Sequence, residues 1–498
     1  MPIKVAMIGA GSIGFTRRLI QDILTVPEFA DTTFSLTDIN RRNLDGIAEL
    51  AKRDIKANGL PARVLAGANR RRALEGADYI FSMVRVGGID AFQTDIDVPL
   101  KYGVDQCVGD TLCAGGILYG QRNIPVILDF CKDIREVAGE NALFLNYANP
   151  MAMNTWAAIQ YGGVRMMGLC HGVHGGHCQI CEVIELLVNR GKKRGSKGYV
   201  KVALEDIDII CAGINHQTWY IQVRYGGEDW TGRLLEGFEC HPKYSQTEKI
   251  RIDILRRFGY YSTESNGHLS EYVAWYRKRP KEIRKWIDLS DWINGETGGY
   301  LRICTEERNW FEKDFPSWSS AEPPVYSPEK RSHEHGSWIL EGLETGRTYR
   351  GHFNVRNGRT ITNLPEDAIV EVPGYVDRNG INIPRVGDLP LGCAAVCNAS
   401  VSVQRLAVEA AVHGDVTLLK QAFMMDPLVG AVCDPPEISQ MVDEMLVAQA
   451  KWLPQYKSAL NGAKKRLAAE RPLGTRKTPG AARLKVRSVG EMKEAGKR

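Results

Sequence analysis

A glycine-rich turn close to the N-terminus constrains the fold of this chain more than any other feature. Gly9, Gly11 and Gly14 have the spacing G-x-G-x-x-G, directly after a short apolar run and directly before a helical pattern of apolar residues. In this context the first glycine permits a tight turn, the second lets the backbone approach a pyrophosphate, and the third lets a helix pack closely on a strand. The pattern predicts that a dinucleotide contacts Gly9, Gly11, Ser12, Ile13 and Gly14.

Two later segments complete the predicted dinucleotide site. Asp38 ends a second predicted strand, where a carboxylate hydrogen-bonds the ribose 2′-OH and repels a 2′-phosphate, so we expect NAD rather than NADP. Arg41 and Arg42 follow closely and leave that choice open. Val86 and Gly87 end another predicted strand, and ligands bind at the carboxyl ends of strands in such sheets. We therefore predict that Val86 and Gly87 also contact the cofactor.

The order of the predicted elements indicates an α/β fold. Strands alternate with helices over about the first 195 residues, as in a doubly wound parallel sheet of the Rossmann type. One of these helices is predicted at 124–138, and a loop with several prolines is predicted at 310–328. We predict three parts: a Rossmann-like NAD-binding domain at 1–195, an α+β substrate and metal domain at 196–462, and a flexible basic tail at 463–498.

Charge is distributed unevenly along the chain. Residues 464–498 contain 12 Lys and Arg against 3 Asp and Glu, although the whole chain has a net charge of only +5. Such a tail is most simply a solvated end, and it contains no aromatic residue on which a nucleic acid base could stack. Binding to nucleic acid is therefore the least favoured function.

Composition favours a globular protein of a reducing compartment. With 44% hydrophobic and 25% charged residues, the sequence is not that of a disordered or low-complexity chain. No apolar run approaches the ~20 residues that span a bilayer. The N-terminus does not resemble a signal peptide, and 12 cysteines without an export signal favour free thiols. We expect a cytoplasmic protein that has no membrane partner.

Two predicted strand ends carry residues that could bind a metal ion. Cys170 and His171 follow one strand, and His216 follows another. A thiolate and an imidazole suit Mn, Fe, Co, Ni or Zn better than Mg or Ca. A buried thiol and a core histidine are the alternative. Cys178 and Cys181 form a C-x-x-C motif without a second pair, which favours a helix over an independent zinc site.

Taken together, the motifs resemble family 4 of the glycoside hydrolases, which are NAD- and metal-dependent glycosidases. The resemblance rests on GAGSIGFTRRLIQDIL, LTDIN, VRVGG, LKYGVDQCVGDTLCAGGI, NYANPM, GLCHGV, AGINHQTWY and RRFGYYSTESNGHLSEY, over roughly residues 3–275. The Rossmann half and NYANPM also look like malate and lactate dehydrogenases, whose C-terminal domain the α+β part is expected to resemble. Those enzymes lack a counterpart of GLCHGV followed by INH.

The resemblance implies an activity and a set of site residues. It implies hydrolysis of α-glycosides by NAD-dependent oxidation at C3, deprotonation at C2 and elimination, with a divalent metal ion, usually manganese. Family members are commonly dimers or tetramers, so we expect a homo-oligomer. For the C2 base, Asp253 and Glu271 are alternatives to Tyr272. The implied residues are Cys170 and His216 for the metal, His171 as the acid for the leaving group, Tyr272 as the base, and Asp110, Asn149 and His171 for substrate.

The two substrate signals in the sequence conflict. Cys-His-Gly at 170–172 resembles the α-glucuronidase and α-galacturonidase branch, whereas RRFGYYSTESNGHLSEY resembles the α-galactosidases and α-glucosidases. His171 argues against a 6-phospho sugar. An α-galactoside is the expected substrate, and an α-uronide or α-glucoside is the alternative. A dehydrogenase of a hydroxy acid or sugar is the alternative from another enzyme class, and a non-catalytic NAD-binding protein is a third.

Overall fold

The structure is a computed structural model that describes residues 2–12, 14–287, 294–307 and 310–475. Ile13, a predicted cofactor contact, and residues 476–498 of the predicted tail lie outside the described residues. The strands are β1 (Lys4–Ile8), β2 (Thr33–Thr37), β3 (Arg63–Ala66), β4 (Tyr79–Ser82), β5 (Leu143–Asn146), β6 (Met166–Gly168), β7 (Ile207–Ile214), β8 (Gln217–Tyr225), β9 (Glu228–Asp229), β10 (Tyr261–Ser262), β11 (Tyr349–Arg356), β12 (Ile369–Asp377) and β13 (Gly380–Asn382).

Six strands form the predicted parallel sheet. Their order is β3-β2-β1-β4-β5-β6, and every neighbouring pair is parallel. The central strands β4 and β5 are buried along their whole length, as expected for a sheet that is covered on both faces. The predicted α/β fold is therefore confirmed. Because the strands are parallel, the residues that follow β1, β2, β4, β5 and β6 meet at one edge of the sheet.

The sheet continues without a break into the second half of the chain. Its order there is β6-β11-β12-β7-β8-β10, and these pairs are antiparallel. Ile339, Leu340 and Phe353 pack in one core cluster with residues of β1 and β2. The sequence predicted a boundary at residue 195, but one sheet and one shared core join the two sides of it. The sequence analysis did not predict β11 or β12.

Helices cover the sheet and form a bundle beside it. They are α1 (Thr16–Leu24), α2 (Arg41–Ala57), α3 (Arg70–Leu74), α4 (Gly88–Lys101), α5 (Cys113–Val137), α6 (Met151–Ala157), α7 (Gly172–Val188), α8 (Leu234–Cys240), α9 (Tyr244–Thr247), α10 (Lys249–Phe258), α11 (Asn266–Tyr272), α12 (Pro280–Trp286), α13 (Gly299–Arg302), α14 (Trp310–Ser320), α15 (His335–Thr345), α16 (Leu391–His413), α17 (Val416–Met425), α18 (Pro427–Val432), α19 (Pro435–Ala448) and α20 (Leu460–Ala469).

Three helices differ from the sequence prediction. Helix α5 begins at Cys113 rather than at 124, so it starts beside the predicted substrate residue Asp110. Helix α14 occupies much of 310–328, which was predicted as a loop. Helix α20 crosses the predicted start of the tail at 463, and the Leu473 amide beyond it donates a hydrogen bond to Gln440 Oε1 at 2.6 Å. The chain therefore continues to pack on α19 beyond the predicted boundary.

One described helix is long and apolar enough to cross a bilayer. Helix α16 has 23 residues and a mean hydropathy of 1.3 over its most apolar stretch, half of which is buried in the protein. It packs against α5, α6 and α17 as part of the largest apolar core. The sequence analysis had found no apolar run of this kind. Its packing explains the apolar composition, because a helix surrounded by other helices is apolar on most sides.

A buried ion pair links the parallel sheet to the C-terminal helices. Arg122 in α5 is fully buried and donates to Asp95 in α4 at 2.9 and 2.7 Å. Gln449, which directly follows α19, also donates to Asp95 at 2.7 Å. Two consecutive helices and a segment more than 300 residues further along the chain thus share one buried carboxylate.

We expect Arg122→Ala to lower the free energy of unfolding by about 3–5 kcal/mol, because it leaves the Asp95 carboxylate buried without its cation. Urea unfolding followed by circular dichroism measures this loss. Arg190→Ala is the control, since Arg190 pairs with Glu236 at 2.6 Å on the surface and both side chains are more than half exposed. Equal effects of the two substitutions would contradict the structural role of Arg122.

Candidate active site

Three potential metal ligands meet where β6, β7 and β10 end. Cys170 follows β6, His216 lies in the turn between β7 and β8, and Glu264 follows β10. One ligand atom from each lies within 4.8 Å of the other two. The sequence analysis predicted Cys170 and His216 but missed Glu264. The only signal for Glu264 was its place in the quoted motif RRFGYYSTESNGHLSEY, which was used there for substrate class alone.

The third ligand, Glu264, is held against the start of α7. Its Oε2 atom is buried without a hydrogen-bond partner among the described residues. A Cβ atom at Gly172 would lie 1.8 Å from that oxygen, so only glycine leaves room for the carboxylate. A buried, unpartnered carboxylate oxygen beside a thiol and an imidazole fits a divalent cation, which would supply the missing partner.

The hydrogen bonds of Thr111 determine which ring nitrogen of His216 is free. The Thr111 hydroxyl donates to Asp110 Oδ1 at 2.9 Å and lies 2.9 Å from His216 Nδ1. Because an ionised carboxylate only accepts, the single hydroxyl proton belongs to the bond with Asp110. His216 Nδ1 must then carry a proton and donate to Thr111, and in the neutral imidazole this leaves Nε2 with a free lone pair. The Nε2 atom lies 4.0 Å from Glu264 Oε2, on the side of the cluster.

The backbone of His216 supports a functional reading of this turn. Its φ is +62°, in the left-handed region that a residue with a Cβ rarely adopts. Such a conformation costs about 1–3 kcal/mol and persists where the surrounding structure requires it.

Burial controls the charge of the cluster. It raises the pKa of the Cys170 thiol well above its usual value, and the charges of Glu264 and Glu371 add to this effect. Burial and the charge of Glu264 likewise raise the pKa of Glu371, in β12, to about 8. Asn215 Nδ2 donates to Glu371 Oε2 at 3.4 Å. A thiolate at Cys170 therefore needs a cation beside it, since the thiolate is the form that binds metals.

Asp110 also forms hydrogen bonds to Asn149, a predicted substrate contact, and to Arg85. Its Oδ2 atom accepts from Asn149 Nδ2 and from Arg85 Nη2, each at 3.2 Å. The Arg85 guanidinium lies over the rings of Phe92 and Tyr119, 4.4 and 4.7 Å from their centroids. The structure thus brings Asp110 and Asn149 together. Two residues that contact the same substrate must lie close to each other, and both were predicted to do so. It adds Arg85, which the sequence analysis had not singled out.

A cavity of about 260 Å³ joins these residues to the glycine-rich turn. Arg85, Asp110 and Asn149 line it from one side, and Ser12 and Phe15 line it from the other. A predicted cofactor contact and two predicted substrate contacts therefore face the same space. This arrangement suits a reaction in which a cofactor and a substrate touch.

The glycine-rich turn has the geometry that its sequence predicts. Gly9 has a φ of +80°, and a Cβ there would lie 2.9 Å from the Met83 carbonyl oxygen. The Gly11 amide donates to Asp38 Oδ2 at 2.8 Å, and the Asn40 amide donates to Asp38 Oδ1 at 2.7 Å. Asp38 therefore fixes the turn from the end of β2. Its contact with a ribose stays a prediction.

The other predicted cofactor residues surround this turn. Gly14 lies in the turn before α1, and Gly87 has a φ of +85° at the start of α4. The Val86 amide donates to Asn123 Oδ1 at 3.2 Å. Val86 and Gly87 are not among the described lining residues of the cavity.

His171 and Tyr272, the predicted acid and base, differ in their exposure to solvent. The His171 side chain is 60% exposed, and its Nδ1 atom lies 3.8 Å from Glu334 Oε1. Tyr272 is buried, and its hydroxyl has no hydrogen-bond partner among the described residues. Its ring contacts His268, which in turn lies 5.1 Å from His216 between ring centroids. Burial, with the charges of Glu271 and Asp110, raises the pKa of Tyr272.

The two alternatives to Tyr272 have structural roles. The Glu271 carboxylate accepts hydrogen bonds from the backbone amides of Cys107, Val108 and Gly109 at 2.6–3.0 Å. Asp253 accepts from Arg257 Nε at 2.8 Å and from the Tyr276 hydroxyl at 2.9 Å, and it also pairs with Arg256. Both carboxylates are thus engaged by neighbouring groups, and Tyr272 as the base stays a prediction.

Comparison with known proteins identifies relatives along nearly the whole chain. Residues 4–186 match the family 4 glycosyl hydrolases, and residues 211–429 match the C-terminal domain of family 4 glycosyl hydrolases. An α-galactosidase of Rhizobium meliloti is 60% identical over 99% of this chain and 98% of its own length. An α-galactosidase of Bacillus subtilis is 31% identical over 91% of this chain and 100% of its own length.

A solved structure shares the fold. A 6-phospho-β-glucosidase of Thermotoga maritima, solved with manganese, NAD⁺ and glucose-6-phosphate, is 23% identical and has a TM-score of 0.71. The match covers 90% of this chain and 99% of that protein.

Thr111→Val tests the hydrogen bond that orients His216. We expect the dissociation constant for Co²⁺ to rise about 10- to 100-fold, because residues that orient a metal ligand contribute this much to metal affinity. Thr111→Ser keeps the hydroxyl and is expected to retain the original affinity. Titration with Co²⁺, followed by visible absorbance, measures both. Equal affinities of the valine and serine variants would contradict the role of the hydroxyl.

Proposed function

Because this chain belongs to family 4 of the glycosyl hydrolases, we propose that it hydrolyses α-galactosides with NAD and a divalent metal ion, manganese, as cofactors. The observation that carries this proposal is the 60% identity with an α-galactosidase over 99% of the chain. The α-galacturonidase of Bacillus subtilis is only 28% identical. Of the two conflicting substrate signals in the sequence, the higher identity supports the one for a galactoside.

The residues at the sheet edge fit both cofactors. The thiol, imidazole and carboxylate of Cys170, His216 and Glu264 form a donor set for manganese or a similar ion. The tight glycine turn, in which a Cβ at Gly9 or Gly11 would lie 2.9 Å from other protein atoms, and the cavity beside Ser12 suit a dinucleotide. When bound, NAD supplies a reversible hydride acceptor and the metal ion supplies a Lewis acid.

The proton transfers are assigned to two residues of the chain. The buried Tyr272 oxygen, which lacks a partner among the described residues, is proposed to accept the proton from C2 of the sugar. A cation held by Cys170 and His216 would favour its phenolate and so oppose the effect of burial. His171, next to Cys170 and partly exposed, is proposed to donate a proton to the leaving-group oxygen.

The charge of the cavity supports a neutral sugar. Arg85 is the one cationic side chain among the described residues that line the cavity, and Asp110 is paired with it at 3.2 Å. A uronate would need a cation that is not already neutralised. Asp110, Arg85 and Asn149 instead offer donors and acceptors for sugar hydroxyl groups, which suits a galactoside.

We also propose a cytoplasmic location and a homo-oligomeric assembly. All 12 cysteines are free, which supports a reducing compartment such as the cytoplasm. Leu391 is 85% exposed and Trp275 is 41% exposed, and the Phe258 ring lies beside Gly392 and 5.8 Å from the Trp275 ring between centroids. An apolar patch of this kind supports the homo-oligomer that we propose.

Turnover of aryl α-glycosides tests the proposed function. With NAD, Mn²⁺ and a thiol reductant, we expect the largest kcat/KM for the α-galactoside, ahead of the α-glucoside and the α-galacturonide. Removal of NAD is expected to abolish release of the aglycone, while NADH absorbance stays constant during turnover. Stoichiometric accumulation of NADH would instead indicate a dehydrogenase, and faster cleavage of the galacturonide would reject the proposed substrate.

Tyr272→Phe tests the proposed base. Loss of general base catalysis is expected to lower kcat by about 10²- to 10⁴-fold, while the dissociation constants for NAD and Mn²⁺ stay unchanged. Exchange of the C2 proton with deuterated solvent is expected to stop. Tyr375→Phe, on the surface in β12, is the matched control. Retention of full activity and of C2 exchange in Tyr272→Phe would exclude this tyrosine.

A further inference from the structure

A second cavity, of about 420 Å³, lies between α7, α15 and the first residues of β7 and β11. Its volume is within the range of about 300–1,000 Å³ that is usual for small-molecule sites. Half of the histidines of the chain line it, five of ten. We call this space the histidine cavity. Its five histidines are His174, His177, His333, His335 and His352.

Three of the cavity histidines lie close to the proposed acid His171 in the chain or through a neighbouring residue. His174 lies three residues further along the chain, in the first turn of α7. His333 precedes Glu334, whose carboxylate lies 3.8 Å from His171 Nδ1. His335 Nε2 donates to the Cys170 carbonyl oxygen at 2.9 Å. A group bonded to the glycosidic oxygen must lie beside the residue that protonates this oxygen, and the cavity lies on that side.

The histidine cavity is lined by neutral polar side chains and by three charged ones, Glu205, Asp208 and Arg350. Burial lowers the pKa of His177 to about 4 and that of His352 to about 3, so both rings are neutral near pH 7. Their Nε2 atoms have no hydrogen-bond partner among the described residues. Arg350, at the rim, is already paired with Asp208 at 2.9 Å. These walls suit a ligand with neutral groups that both donate and accept hydrogen bonds.

A metal ion is a poorer occupant. Among the described residues, three potential ligands converge within 4.8 Å only at Cys170, His216 and Glu264. The cavity imidazoles are thus too far apart to form such a group. Apolar and aromatic side chains, including Val173, Trp338 and Tyr349, complete the wall. Aromatic and neutral polar groups together are what the faces and hydroxyls of a pyranose contact.

We propose that the histidine cavity binds the leaving-group sugar of an α-galactosyl disaccharide, a neutral hexose unit next to His171. This proposal rests on the proposed function, because it assumes that His171 faces the glycosidic oxygen. It assigns the galactosyl ring to the cluster of Cys170, His216 and Glu264, and the second ring to the histidine cavity.

Two substitutions in the cavity test this assignment, His177→Ala and His333→Ala. We expect each to lower kcat/KM for an α-1,6-linked galactosyl-glucose disaccharide at least 10-fold. An aryl α-galactoside has no second sugar, so its kcat/KM is expected to change less than 2-fold. His413→Ala, on the exposed end of α16, is the control for loss of a histidine elsewhere. Thermal unfolding of each variant checks that it is folded.

The outcomes separate this proposal from the proposed function. A larger loss with the disaccharide than with the aryl galactoside supports the proposal, and equal losses or no loss with either substrate overturn it. Calorimetric titration of the wild-type holoenzyme with glucose gives an independent result. Glucose binding that His177→Ala weakens supports the sugar site, and its absence counts against it. Failure of the wild-type enzyme to cleave the aryl α-galactoside would instead contradict the proposed function.

Discussion

The hydrogen bond between Thr111 and His216 is the contact on which the organisation of the site depends. Thr111 precedes α5 in the N-terminal half, and His216 lies in the β7–β8 turn of the second half. Asp110 takes the only hydroxyl proton, so the imidazole must present its unprotonated Nε2 to Cys170 and Glu264. The proposed substrate contact Asp110 and the proposed metal ligand His216 are thereby oriented by one network.

That network needs a rigid frame, which buried charge pairs supply. Arg122 and Asp95 join α5 to α4 at the end of the parallel sheet. Arg277 and Asp105 are also fully buried, and Thr297 donates a further hydrogen bond to Asp105. Glu271 binds the amides of the residues just before Gly109 and Asp110. Since a charge that loses its partner in the interior is costly, each pair fixes the position of a loop near the site.

The parallel and antiparallel parts of the sheet hold different proposed sugar positions. Parallel strands deliver the glycine-rich turn, Asn149 and Cys170 to one edge, where cofactor and galactosyl ring would meet. The antiparallel strand β11, which pairs with β6, adds one wall of the histidine cavity. A single continuous sheet therefore holds both spaces in fixed relation to His171.

Sequence alone determined the parallel half of the fold and most of the predicted site. A glycine turn after a strand, and polar residues at later strand ends, are local patterns whose geometry follows from the chain itself, so Cys170 and His216 could be named as candidates from the residues. Asp110 and Asn149 were named from the family resemblance. Tertiary structure alone decided the continuous sheet, the third candidate ligand Glu264, the hydrogen bond of His216 and the histidine cavity. These depend on which distant segments pack together, and pairing across long sequence separations leaves no periodic signal in a single sequence.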